Sequence, residues 1–226
     1  MLLLLIQFIN ILFIDFTYYI IKYYYQFEHT PNTRWFYLHS ITNAIISYNC
    51  ISDIKLCLND ISQCYFIPWN IYSYKVYYLS LLLHIYHILF FKLKKSDYIH
   101  HFTMCGICGP IIYFQKNILS SFVLFFLTGF PGMLDYLLLF LVKIKKIHSL
   151  TEKRLYLIIT TWIRSPGCIL TIGFGIPGII HNYNNSEYFK LLGLLIMSFL
   201  VYWNAQYYLN STYNNYYSLL YITKNS

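Results

Sequence analysis

Leu83-His-Ile-Tyr-His-Ile-Leu-Phe-Phe-Lys-Leu-Lys-Lys-Ser-Asp-Tyr-Ile-His-His101 is the stretch whose reading decides the fold. An apolar run ends in Lys92, Lys94 and Lys95, and a second apolar run opens at once behind Asp97, His100 and His101. A join this short between two apolar runs reads as an antiparallel pair of membrane helices with a basic turn. Polar groups at such a boundary carry a cost, about 2.5–3.5 kcal/mol for an aspartate at a helix centre. A carboxylate and two imidazoles there therefore call for a reason. Asp97 stands i,i+3 and i,i+4 from His100 and His101, so a helix can bring the three side chains together.

The rest of the chain agrees with a membrane reading. Of 226 residues, 58% are hydrophobic and only 11% charged, far below the roughly 25% of a soluble domain. Tyrosine and phenylalanine, 26 and 18 residues, suit the membrane interface. A net charge of +8 would suggest nucleic acid in a soluble protein, but these basic residues sit in short loops between apolar spans, so no nucleic-acid partner is expected. About seven spans follow, near 2–21, 36–58, 75–91, 99–115, 119–142, 155–180 and 191–210, each near the ~20 residues a bilayer needs. The first has no basic leader and no cleavage motif, so it reads as a retained helix. The second is interrupted by His39, Asn43, Asn49 and Asp53.

Alternating the loops places Lys22, Arg34, Lys92, Lys94, Lys95, Lys143, Lys145, Lys146, Lys153, Arg154 and Lys224 on one side, and only Lys75, Lys116 and Lys190 on the other. The positive-inside rule then sets the N-terminus in the lumen and the C-terminus in the cytosol. The expected fold is an all-α, multi-pass transmembrane helix bundle. Its organisation is an N-terminal helix and loop (1–33), one bundle domain (34–210) and a polar, loosely ordered tail (211–226). The sequon at Asn184 falls on the lumenal side and that at Asn210 on the cytosolic side. Cys105 and Cys108 have CxxC spacing without a second pair, which reads as packing, as do the other apolar-span cysteines.

At about 1.5 Å per residue, His39, His84, His87, His101 and Asn204 fall in one shallow layer near the cytosolic face. Asp135 and Arg164 fall roughly 12–15 Å deep by the same rise. They read as a structural ion pair, or as part of a head-group site. His29, His148 and His181 read as solvated loop groups, and Gly129–Gly132 as a bend. A di-metal oxygenase would need more clustered histidines than these, so no metal ligands and no cofactor are assigned.

Lys94-Lys-Ser-Asp-Tyr-Ile-His-His101, Trp35-Phe-Tyr-Leu-His39-Ser-Ile-Thr-Asn-Ala44 and Thr161-Trp-Ile-Arg164 together resemble the TLC-domain family, which includes ceramide synthases and membrane-fluidity proteins. The resemblance covers roughly residues 34–210. It implies an endoplasmic-reticulum-type membrane and a protein that binds, senses or modifies membrane lipids. It gives Asp97, His100 and His101 the catalytic positions and brings His39 and Arg164 to the site; with His84, His87 and Asn204 of the shallow layer, these two form the expected substrate-binding set. Leu127–Met133 departs from the ceramide-synthase pattern, and His87 stands near the place where many members carry an aspartate. An acyl-CoA-dependent N-acyltransferase is one alternative, in which a neutral histidine takes a proton from the attacking amine while Asp97 holds its tautomer. A non-catalytic cargo receptor or membrane scaffold is the other.

Overall fold

The computed structural model describes residues 1–225; among the described residues the chain is helical with no strand beyond one isolated bridge, Pro68 to Asn117. In chain order the elements are α1 (Leu2–Tyr25), α2 (Pro31–Asn59), a short 3-10 turn (Ile61–Gln63), α3 (Ile71–Phe90), α4 (Lys95–His101), π1 (Phe102–Cys108), α5 (Gly109–Gln115), α6 (Leu119–Leu124), π2 (Phe125–Gly129), α7 (Phe130–Lys143), α8 (Ser149–Ile159), π3 (Thr160–Arg164), α9 (Ser165–Asn184) and α10 (Tyr188–Asn225). Where a π segment joins two helices, the rod runs on through it. The elements thus form seven rods joined by short connections.

Four rods, Leu2–Tyr25, Leu119–Lys143, Ser149–Asn184 and Tyr188–Asn225, are long and apolar enough to cross a membrane. That is fewer than the seven expected from the sequence. The exposed surface is rich in large apolar side chains, among them Leu5, Ile9, Phe13 and Phe16 on α1 and Phe199 and Trp203 on α10. The interior, by contrast, holds His39, Asn43, Asp53, His84, Glu152 and Arg164. Polar groups inside and apolar groups outside suit hydrocarbon as the solvent, since a polar group facing lipid has no hydrogen-bond partner.

α2 is the hub, packing on α1, α3, α6 and α7. Its start is fixed locally: the Thr30 hydroxyl accepts from the Thr33 amide, and Pro31 occupies the first turn, where its missing N–H costs nothing. Its far end is tied to α3 through Asp53. That carboxylate accepts from Asn70 Nδ2 (2.5 Å), Ser73 Oγ (2.7 Å) and Ser121 Oγ (2.6 Å), while the Asn70 Oδ1 caps α3 by accepting from the Tyr72 and Ser73 amides. Near this end Cys57 and Cys64 form a disulfide, a pairing the packing assignment from sequence missed; Cys105 and Cys108 are free thiols.

At the opposite end of α2, Arg34 binds both carboxylate oxygens of Asp15 on α1, and Tyr86 Oη on α3 donates to Asp15 Oδ2 at 2.7 Å. Arg34, counted above among the loop charges, is thus part of a three-helix tie.

One expectation changes. Residues 211–225 are not a loose tail, because α10 runs on to Asn225. After Gly193 the sequence holds neither glycine nor proline, and Thr212 is buried with its hydroxyl bonded to the Tyr208 carbonyl at 2.7 Å. Nothing stops the helix at residue 210. The loop histidines His29, His148 and His181 are exposed, as expected, and each has a partner as well. His29 Nδ1 lies 2.9 Å from Tyr18 Oη, His148 Nδ1 accepts from the Leu150 amide, and His181 packs its ring edge-on to Phe66 and bonds Asn185.

Candidate functional site: a histidine cluster beside a buried arginine

The hairpin read from residues 83–101 brings two pairs of rings within hydrogen-bond distance of each other. His84 Nε2 lies 3.0 Å from His100 Nε2, and His87 Nδ1 lies 2.9 Å from His101 Nε2. Both pairs join α3 to α4, so the cluster depends on the short basic turn that brings these helices together. His84 and His87 are one turn apart on α3, and the neighbouring positions 100 and 101 on α4 meet one each. Trp35 on α2 stacks on the His87 ring with centroids 3.7 Å apart and planes within 8°.

His39 arrives from α2 and is held from two sides. Asn43 Nδ2 donates to His39 Nδ1 at 2.8 Å, and Thr128 Oγ1 donates to Asn43 Oδ1 at 3.1 Å. Tyr136 on α7 stacks on the His39 ring at 3.7 Å. α7 comes this close because Gly132 faces Asn43: a Cβ there would meet Asn43 Nδ2 at 2.6 Å.

His39, His84 and His100 line one small cavity of about 40 Å³ together with Met104, Leu127, Thr128, Asp135, Tyr136, Arg164, Asn204 and Tyr208. The two depth layers expected from the sequence are therefore one site. His87 and His101 are not in its wall; they pair behind it. Each of the three π segments supplies a wall residue: Met104 from π1, Leu127 and Thr128 from π2, Arg164 from π3. π turns inside α-helices concentrate at functional sites, where they shift a side chain out of regular α register. No sequence pattern announced them here.

Arg164 is 5% exposed. Its guanidinium donates to Tyr156 Oη (3.0 Å), the Leu127 carbonyl (2.8 Å) and Asn204 Oδ1 (3.1 Å), and lies over the Tyr208 ring at 3.7 Å. Its Nε is buried without a partner. The ion pair expected between Asp135 and Arg164 is not formed: the two share the cavity, but the ionic contacts within 4.0 Å among the described residues are Asp15–Arg34, Glu152–Lys153 and Glu187–Lys190. Neutral oxygen acceptors and an aromatic face have taken the guanidinium instead.

Asp97 also differs from its expected role. Its Oδ2 accepts from the Lys94 amide at 2.7 Å, the reach back of an N3 side chain to the N-cap residue of α4. A carboxylate in the first turn of a helix is favoured there by the free amides and the helix dipole. The imidazole partners of His100 and His101 are His84 and His87, not Asp97.

The site can therefore donate from one buried cation, offer imidazole nitrogens from α2, α3 and α4, and hold a small polar group in a pocket whose other walls mix Thr128, Asp135 and Asn204 with Met104, Leu127 and two tyrosines. No family model, curated protein or solved structure matches the chain.

Proposed function

We propose that this is a seven-pass membrane protein of TLC type that binds the polar part of a membrane lipid in the cavity between His39, His84, His100 and Arg164, and thereby senses or modifies membrane lipid composition. One observation carries the reading: a buried guanidinium faces a polar cavity with no carboxylate bonded to it and with Nε unpartnered. A buried donor left unsatisfied costs about 1–3 kcal/mol, and more when charged. A phosphate or carbonyl oxygen from a lipid head group would remove that cost, with the lipid's chains lying along the apolar outer surface.

The seven-pass arrangement, with a lumenal N-terminus and a cytosolic C-terminus, rests on the seven rods and the lysine bias. The Cys57–Cys64 disulfide supports it, because that end of α2 is the lumenal one in this orientation, and disulfides persist in oxidising compartments. An endoplasmic-reticulum-type membrane follows from the resemblance.

Acyl transfer from acyl-CoA to a long-chain base is the second reading. It is favoured by His84, whose Nδ1 lies 2.6 Å from the Ser80 carbonyl. A carbonyl only accepts, so Nδ1 carries the proton and Nε2 is left basic, as a general base requires.

The test is mass spectrometry of lipid that co-purifies with the wild-type protein and with the His100→Ala/His101→Ala variant. A defined lipid class held by the wild type and lost from the folded variant supports the reading. The same lipid profile in both contradicts it. Turnover of acyl-CoA by the purified wild type would select the acyltransferase.

A further inference from the structure

Four imidazoles from two helices are more than a head-group pocket requires, and only His84 and His100 among them line the cavity. We propose that His84, His100 and His101 bind one divalent transition-metal ion, with zinc the best match to a three-imidazole set.

One ring nitrogen from each of the three lies within 4.8 Å of the other two. Two imidazoles on one tetrahedral zinc, each at about 2.0–2.1 Å, hold their nitrogens about 3.3 Å apart. His84 Nε2 and His100 Nε2 are already 3.0 Å apart, so small ring rotations suffice. The tautomer is set as well. The Ser80 carbonyl takes the Nδ1 proton of His84 and leaves the Nε2 lone pair directed at His100. A ring N–H bonded to a backbone carbonyl is the usual outer-shell support of a metal-ligating histidine.

A second observation points to a ligand independently. His101 is 4% exposed, and its Nδ1 is buried with no partner. A hydrogen-bonded chain of neutral rings accounts for the His84–His100 and His87–His101 contacts but leaves that nitrogen idle. An ion gives it a role, with His87 bonded to His101 Nε2 and clamped by Trp35. Three histidines leave a fourth coordination position open, and open positions mark catalytic rather than structural zinc. His84 and His100 also border the cavity that holds Asp135 and Arg164, so a group bound there can approach the ion.

This inference does not rest on lipid binding. The test is elemental analysis of the full-length protein in detergent, first as purified, then stripped with chelator and reloaded with zinc or cobalt(II). About one zinc per chain is expected, and the cobalt form should show the visible bands of a four-coordinate site. His84→Gln, His100→Gln and His101→Gln should each weaken zinc binding at least as much as the ~10–100-fold cost of losing an outer-shell partner. His148→Gln and His181→Gln should leave it unchanged. Wild-type protein that reloads less than about a tenth of an ion per chain overturns the proposal, as does zinc affinity unaltered in all three ligand variants. If a variant fails to fold, the wild-type stoichiometry and cobalt spectrum decide. Protein that holds lipid yet takes up no zinc would leave the lipid reading standing while the ion fails, and a loaded ion without bound lipid would do the reverse.

Discussion

The two ends of α2 treat buried polar groups in opposite ways. Around Asp53, 0% exposed, three neutral donors from α3 and its preceding loop and from α6 meet the carboxylate at 2.5–2.7 Å. Around His39, nearer the other end, the bundle leaves a cavity, an unpartnered Arg164 Nε and an unpartnered His101 Nδ1. A buried polar group whose bonds are all made by the protein holds helices together and has nothing left for a ligand. A buried group with capacity to spare is costly to keep. Within one bundle, the difference separates tie from site.

That comparison can be broken or sharpened by substitution, beginning where the loss should be greatest. Asp53→Leu strands the donors of Asn70, Ser73 and Ser121, and should cost on the order of 3–6 kcal/mol, read as a large fall in unfolding temperature in detergent. Asp15→Leu, at the Arg34–Tyr86 tie, should cost about 2–3 kcal/mol, below the ~3–5 of a fully buried pair because the Arg34 side chain is 19% exposed. Its bound lipid and metal should be unchanged. Cys57→Ser opens a small loop and should cost about 2 kcal/mol. Arg164→Met should cost only about 1–2 kcal/mol, because relief of a buried charge that has no carboxylate offsets part of the loss from stranding Tyr156 Oη, the Leu127 carbonyl and Asn204 Oδ1. It should nevertheless abolish lipid retention. If Arg164→Met instead unfolds the protein as Asp53→Leu does, the guanidinium is a tie like the others and the distinction collapses.

The hairpin around Lys92–Lys95 was legible because its signals are local: two apolar runs, three lysines, and a turn too short for any other geometry. His39, His84 and Asn204 could be placed in one layer by counting residues at 1.5 Å each. The same count separated Arg164 from them, for two physical reasons. A π turn packs more residues into each unit of length, so ten residues from Arg154 through π3 descend less than a straight α-helix would. A residue count also gives the height of a Cα and not the reach of an arginine side chain. Asp97 was misread because the spacing that lets it face His100 and His101 also puts it in the first turn of α4, where the Lys94 amide is nearer. The Asp15–Arg34 tie and the Cys57–Cys64 bridge each depend on where the chain comes back on itself, and nothing in the flanking residues encodes the partner. The length of α10 was legible in part, since neither glycine nor proline follows Gly193.

The claim at the centre of this account is that Arg164 and the imidazoles of His39, His84 and His100 face a bound lipid head group. Cryo-electron microscopy of the protein in nanodiscs of its native lipid tests it most directly. Density for a phosphate or carbonyl group is expected within hydrogen-bond distance of Arg164 Nε, between the His100 ring and Asn204. A cavity closed by Asp135 swung onto Arg164, with lipid seen only on the outer faces of α1 and α10, would contradict it.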